Sequence, residues 1–371
     1  MEKKRYFPNL NGTRCIAALL VIFHHLEQAK HALGIANIYE IPIIQHAGRL
    51  GVGLFFVLSG FLITYLLLEE RGRFGDVDAK KFYLRRVFRI WPIYFLIIGL
   101  SFFVFPHIEL LSFPGTDEKI TIHAAERLTL LLLVLPNFAF VLYDLPYWCA
   151  QTWSIGVEEQ FYYLWPWVIK YPKKRIPIIL LFLGITAAML YIGLQIVDVD
   201  DAAKKTMIST FLGQFRIQTM ALGGLCAWLV YHNKTQVLEV IFRKDLQIVM
   251  YSLLLGLFLS GVHFYGFLEV YALFFAFLIL NVSCNPNSIL DFRNPLMDHL
   301  GKISYGLYIY HVFVIVLIIN VLSKYTPNWS GTSYQVGVYL LSLAGSVLVA
   351  TLSFNYFEKP ILTHKDKLFG R

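Results

Sequence analysis

Residues Asn11 to Gln28 read NGTRCIAALLVIFHHLEQ. The stretch is a helix-forming, apolar segment long enough for a bilayer core of about 30 Å. It opens on an arginine, Arg14, and carries two histidines, His24 and His25, in its apolar body. Arg14 and His25 are eleven residues apart, which is about 16 Å along a helix at 1.5 Å per residue. One ionisable group therefore marks one surface while another lies past the middle of the membrane. Both are costly in hydrocarbon unless paired or wet, so the arrangement asks for a function. Taken by itself, the stretch also fits a plainer role, in which His25 only hydrogen-bonds a neighbouring helix.

The rest of the chain agrees with a membrane setting. Of its 371 residues, 57% are hydrophobic and 15% are charged, against about a quarter charged in soluble domains. Repeated apolar runs of spanning length imply an all-α, polytopic membrane bundle. A single membrane domain over residues 1–371 is expected, with no soluble domain appended. The net charge of +8 does not point to nucleic acid, because the basic residues sit in short loops between apolar runs, as the positive-inside rule predicts. Cys15, Cys149, Cys226 and Cys284 stand singly, without metal-ligand spacing, so no metal is expected.

Lys3, Lys4 and Arg5 place the N-terminus in the cytoplasm, and the first apolar run lacks a small-residue cleavage site, so it is read as retained. Helices are expected at about 11–28, 47–68, 90–106, 153–168, 176–197, 207–231, 246–264, 266–283, 303–323 and 335–357. These ten spans put both termini in the cytoplasm. The segment 123–143 is expected to be re-entrant or interfacial, because a crossing there would send Lys170, Lys173, Lys174 and Arg175 outside. No internal repeat is visible, which counts against many transporter folds.

Two groups of residues carry the chemistry. On the outer side, Glu158 in WSIGVEEQFYYLWPW and Arg216 are expected at the depth of His25. A neutral imidazole is the form a general base needs, and a carboxylate can orient it. Glu159, adjacent to Glu158, cannot share its helix face. The plainer reading is a buried ion pair that fixes packing. On the inner side stand Arg14, Arg85, Arg86 and Arg89. Guanidinium groups suit phosphates, although topology-setting charge or lipid headgroup contact explains the same cluster. A donor with a phosphorylated head and a thin arm fits both groups. Coenzyme A has that shape.

The chain resembles the integral membrane acyltransferase family 3 of the cell envelope. The resemblance is carried by Arg14 and His25 in NLNGTRCIAALLVIFHH, by GVGLFFVLSGFLI, by Arg86 and Arg89 in FYLRRVFRIWPIY, by WSIGVEEQFYYLWP, by GKISYGLYIYH with His311, and by FEKP with Glu358. It implies ten core helices in the cytoplasmic membrane and transfer of an acyl group, usually acetyl, from acyl-CoA to a hydroxyl of an envelope polysaccharide or other sugar. It also implies that His25 is the essential histidine and Arg86 and Arg89 the essential pair. Gly53 and Thr219 depart from the acidic residues common there.

Smaller signals stay open. His311 is expected about 10 Å from the inner face, too shallow to meet His25. Ser59 and Ser154 read as packing or capping residues. Trp153 and the aromatic residues around it suit either an interfacial belt or stacking on a sugar ring. The competing functional class is a proton-coupled transporter or flippase, with His25, Glu158 and Arg216 as its relay.

Overall fold

The computed structural model describes residues 7, 9–170, 176–196, 201–264, 266–326, 328 and 331–369. Among these, the regular elements are all helical. The helices are α1 Asn9–Ala32, α2 Pro42–Phe74, α3 Ala79–Phe103, α4 Thr116–Thr121, α5 Ala124–Leu132, α6 Pro136–Tyr143, α7 Trp153–Lys170, α8 Ile176–Ile196 and α9 Ala202–Gln214. They continue with α10 Ile217–Tyr231, α11 Thr235–Ile241, α12 Lys244–Ser260, α13 Phe267–Cys284, α14 Pro295–Lys302, α15 Ser304–Tyr325, α16 Gly331–Ser353 and α17 Lys359–Phe369. By length and composition, the segments Pro42–Phe74, Ala79–His107, Phe267–Cys284, Ser304–Tyr325 and Gly331–Lys365 can each cross a membrane. Lys3, Lys4, Arg5, Lys173, Lys174 and Arg175, on which the expected topology leaned, lie outside the described residues.

Helix α2 is the hub, packed against α1, α7, α10 and α13. It begins with Pro42 in its first turn and ends at Gly75, whose φ of 81° lets its N–H reach the Arg71 carbonyl. Such a left-handed cap suits glycine because no Cβ clashes. The α2–α10 crossing is closer than side chains allow. A Cβ at Gly60 would strike the Met220 carbonyl, and one at Gly223 would strike that of Val57. Small residues at a helix contact bring backbones together where no hydrophobic gain drives association.

Two expected elements are corrected. The helix expected at 90–106 starts at Ala79, where the Asp78 side chain accepts the Lys81 N–H, a standard N-cap. Arg85, Arg86 and Arg89 therefore stand on α3 itself, and Pro92 lies in its interior. The helix expected at 207–231 is broken between α9 and α10. Arg216 holds the break open, its Nε donating to the Gly213 carbonyl at 2.8 Å. Segment 123–143 forms two short helices joined through Val134, which has a φ of 59°. The buried Arg127 closes that corner by donating to the carbonyls of Lys119, Ile122, Tyr143 and Asp144.

Polar contacts fix the two ends of α1. At its start, Asn11 donates to Asp298 on α14 at 2.7 Å. Lys302 and this amide hold the Asp298 carboxyl below its usual range. Near its end, Glu27 and Lys30 form an ion pair at 2.6 Å with essentially no exposed surface. Lys30 also donates to Gln335 at 2.7 Å, while Glu27 accepts the Ile38 N–H at 2.7 Å and the Tyr339 hydroxyl. This cluster ties the loop after α1 to α16. Removing one member of a buried pair leaves an uncompensated charge, which costs about 3–5 kcal/mol. Lys30→Ala is therefore expected to lower the thermal midpoint of the detergent-purified protein clearly. Glu27→Gln combined with Lys30→Met should recover most of the loss.

Candidate active site

A cavity of about 210 Å³ opens between α1, α2, α3, α7 and α15. Arg14, Arg86 and Arg89 line it together with Ser59, Glu158, Tyr162, Ser304 and Tyr308. Three of the four inner arginines thus converge. Arg86 and Arg89 share a face of α3, three residues apart, and Arg14 meets them from α1. Arg14 donates to Asn11 at 3.0 Å. The Arg86 guanidinium rests against the Phe82 and Tyr162 rings, and its buried Nε has no partner. Among the described residues, none of the three forms an ion pair. A cluster of like charges, with Arg14 and Arg86 half-buried, Arg89 exposed and a donor unused at Arg86 Nε, suits an anion by its chemistry. Arg85 is not part of it. Its Nη2 pairs with Glu70 at 2.7 Å and ties α3 to α2.

Glu158 belongs to this cavity as well. It accepts from the Tyr162 hydroxyl at 2.8 Å, which is in turn 2.5 Å from Ser59 Oγ. The expectation that Glu158 lies at the depth of His25 is corrected by the register of α2. His24 packs on Gly48, whereas Glu158 is linked through Tyr162 to Ser59, eleven residues further along α2. That is about 16 Å along the helix. The reason lies ahead of α7. Residues Tyr147–Thr152 form a buried turn, and Gln151 donates to the Ile309 carbonyl at 2.7 Å. Helix α7 therefore starts inside the bundle instead of at its outer surface. Glu159 faces elsewhere and accepts from Trp91 Nε1 at 3.1 Å.

Arg216 does not join either group. It pairs with Glu269 on α13 at 2.9 Å and lies over the Tyr191 ring. Both the helix break and this partner, distant in sequence, take it out of the expected cluster. Trp153 packs edge-on against Phe56, a residue of the cavity wall, with ring centres 6.4 Å apart. It stands behind the wall and does not line the cavity.

At the end of the cavity away from the arginines stands Tyr308, whose hydroxyl donates to the Gln151 carbonyl at 2.8 Å and meets Ser154 Oγ at 2.6 Å. One turn further along α15 is His311, fully buried, with its ring centre 6.1 Å from that of Tyr308. Its Nε2 lies 3.1 Å from His25 Nδ1. The depth expected for His311 is thus overturned. Helix α15 begins level with Arg14, since Ser304 and Tyr305 line the same cavity, and about two turns from Ser304 bring His311 to the His25 ring. The pairing was partly readable: Tyr308 and His311 are three apart in SYGLYIYH and share a face.

His25 Nδ1 is also 3.0 Å from the Val21 carbonyl, and His311 Nδ1 is 3.1 Å from that of Leu307. Carbonyls only accept, so each Nδ1 carries a hydrogen when it makes these bonds. The tautomers are assigned from this network. His25 Nε2 is then the nitrogen with a free lone pair. His24 turns the other way, with its Nδ1 2.9 Å from the Ile44 carbonyl. Beyond the ring, the Tyr147 hydroxyl donates to the His25 carbonyl at 3.3 Å, and the Tyr147 ring stacks on Phe113 at 3.8 Å.

Comparison with known proteins gives this geometry a family. A family model described as an acyltransferase domain matches residues 7–351. O-acetyltransferase OatA of Staphylococcus aureus (strain NCTC 8325 / PS 47) is 28% identical over 397 aligned residues, covering 100% of this chain and 59% of that protein. A provisionally named O-acetyltransferase of Staphylococcus aureus (strain COL) is 26% identical over 385 aligned residues, covering 97% of this chain and 58% of that protein. The chain thus spans under two thirds of the length of these curated relatives. No solved structure matches. With the match running along nearly its whole length, the chain is a membrane protein that belongs to acyltransferase family 3.

Proposed function

We propose that this protein is an O-acyltransferase of the cytoplasmic membrane that moves an acetyl group from acyl-CoA to a hydroxyl of an envelope polysaccharide or related sugar. The observation that carries this reading is the cavity. It has three guanidinium groups without carboxylate pairs at one end and reaches Tyr308 at the other, whose ring centre is 6.1 Å from that of His311, the partner of His25. Ten spans with both termini in the cytoplasm fit this direction, with donor entering from inside and acceptor from outside. The names of the relatives support O-acetyl transfer.

The donor set suits the coenzyme. Arg14, Arg86 and Arg89 would hold its phosphates, and the unpartnered Arg86 Nε is a donor waiting for an acceptor. The cavity volume suits the thin arm, leaving the nucleotide at the inner mouth. Ser59, Tyr162 and Ser154 offer hydroxyls to the amides of such an arm. The arm has about 16 Å to cover from Arg14 to His25. At the outer end, His25 Nε2 takes the proton from the acceptor hydroxyl as its oxygen attacks the thioester carbonyl. The C–S bond breaks, and the departing thiolate takes the proton back from His25. Glu158 serves the donor arm through Tyr162, on the arginine-lined side of the cavity.

Thiol release from acetyl-CoA by purified protein tests the class. Release is expected to depend on an added envelope glycan and to vanish in His25→Ala; unchanged turnover in that variant, correctly inserted, removes His25 from the chemistry. A second comparison tests the phosphate contacts. Losing one hydrogen bond to a charged group costs about 1.5–3 kcal/mol, or roughly 10- to 150-fold. Arg86→Ala should raise the KM for acetyl-CoA by such a factor and leave that for phosphate-free acetyl-pantetheine near the wild-type value. Equal effects on both donors would place Arg86 away from the phosphates.

A further inference from the structure

His311 has no part in the reaction steps above, yet among the described residues it is the side chain hydrogen-bonded to the His25 ring. We propose that His311 is a positioning residue. It holds His25 in the Nδ1–H tautomer, so that Nε2 points its lone pair at the acceptor hydroxyl. The inference rests on the reading of His25 as the base.

The argument starts from the buried end of the chain of contacts. His311 has no exposed surface, and its Nδ1 is fixed by the Leu307 carbonyl at 3.1 Å. A neutral imidazole carries one N–H, so with Nδ1 donating, Nε2 must accept. That acceptor is 3.1 Å from His25 Nδ1, with the ring centres 4.9 Å apart and the planes inclined by 56°. The Val21 carbonyl reaches the same nitrogen at 3.0 Å. Two acceptors thus converge on His25 Nδ1, and the proton resides there. The carbonyl of the residue four back is available to any helical histidine. The second acceptor is what His311 adds, and it comes from a different helix, so it also fixes the ring plane.

The pairing has a chemical consequence. When His25 takes the acceptor proton, its Nδ1–H becomes a charged donor, and the His311 lone pair accepts a stronger, charge-assisted bond. The stabilisation arises only as charge develops, which is the condition for lowering a barrier. A neutral imidazole acceptor leaves the proton free to pass to the departing thiolate.

The test combines spectroscopy with kinetics on the full chain in lipid nanodiscs. In 15N-histidine-labelled wild-type protein, His25 is expected to show one neutral tautomer, with the proton on Nδ1. A wild-type spectrum with the proton on Nε2, or an even mixture, overturns the proposal without any variant at His311. His311→Phe fills the space without an acceptor. It should lower kcat by about 100-fold, the low end of what a positioned base contributes, with KM for acetyl-CoA within about twofold of wild type. The His25 signal should turn to a tautomer mixture. His311→Gln, whose amide oxygen takes the place of Nε2, should regain at least about tenfold of the lost kcat. Wild-type kcat in His311→Phe, or an unchanged His25 tautomer there, overturns the proposal. Failure of the underlying reading looks different: His25→Ala would keep its turnover while the wild-type tautomer stayed as described.

Discussion

Helix α2 lacks side chains at Gly48, Gly51, Gly60 and at other points where its neighbours cross, and the placement of the site follows from this. A Cβ at Gly51 would meet the Ala17 carbonyl and the Val21 side chain on α1, and one at Gly48 would meet the His24 ring. The close approach sets the register of α1 on α2, and with it the levels of Arg14 and His25. On the other face, the Gly60 and Gly223 contacts bring α10 equally near. Backbone packing of this kind is driven by dispersion and close fit, because hydrocarbon outside competes as well as any apolar side chain within. What α2 leaves open, on the side of α3, α7 and α15, is the arginine-lined cavity.

Much of this was readable in the chain. Composition alone gave an all-helical membrane bundle, and the Arg14–His25 spacing needed only the rise of a helix. The convergence of Arg86 and Arg89 followed from their spacing of three. What was not readable was where each helix starts relative to its neighbours. Hydropathy marks the apolar part of a segment, but Glu158 took its level from the buried turn at Tyr147–Thr152, and His311 from a helix that begins beside Arg14. Both are tertiary settings, made by contacts such as Gln151 to Ile309, far apart in sequence.

The same distance in sequence hid which arginines have partners. Arg85 stands next to Arg86 in the chain, and no residue beside Arg85 or Arg216 announces a partner. Yet Arg85 finds Glu70 across the α2–α3 turn, and Arg216 finds Glu269 on α13. Each of these pairs satisfies its charge and fastens two helices. Among the described residues the cavity arginines have no such pair, and the half-buried Arg86 keeps a buried Nε without a partner, a donor that water or an anion can satisfy.

The two ends of the site then make opposite demands on one low-dielectric interior. The inner end gathers positive charge, which favours any phosphorylated head. On the proposed reading the His25 end must stay neutral, because a protonated imidazole could not act as the base. Keeping the two about 16 Å apart along α1 protects His25 from the arginines, since charge interactions fall with distance but are weakly screened inside protein. It also forbids a carboxylate at His25 from being shared with the arginine cluster. Glu158 shows the alternative, drawn to the arginine end and tied to Tyr162. With the carboxylate there, the group left to steady the imidazole is a second imidazole, uncharged and enclosed on α15.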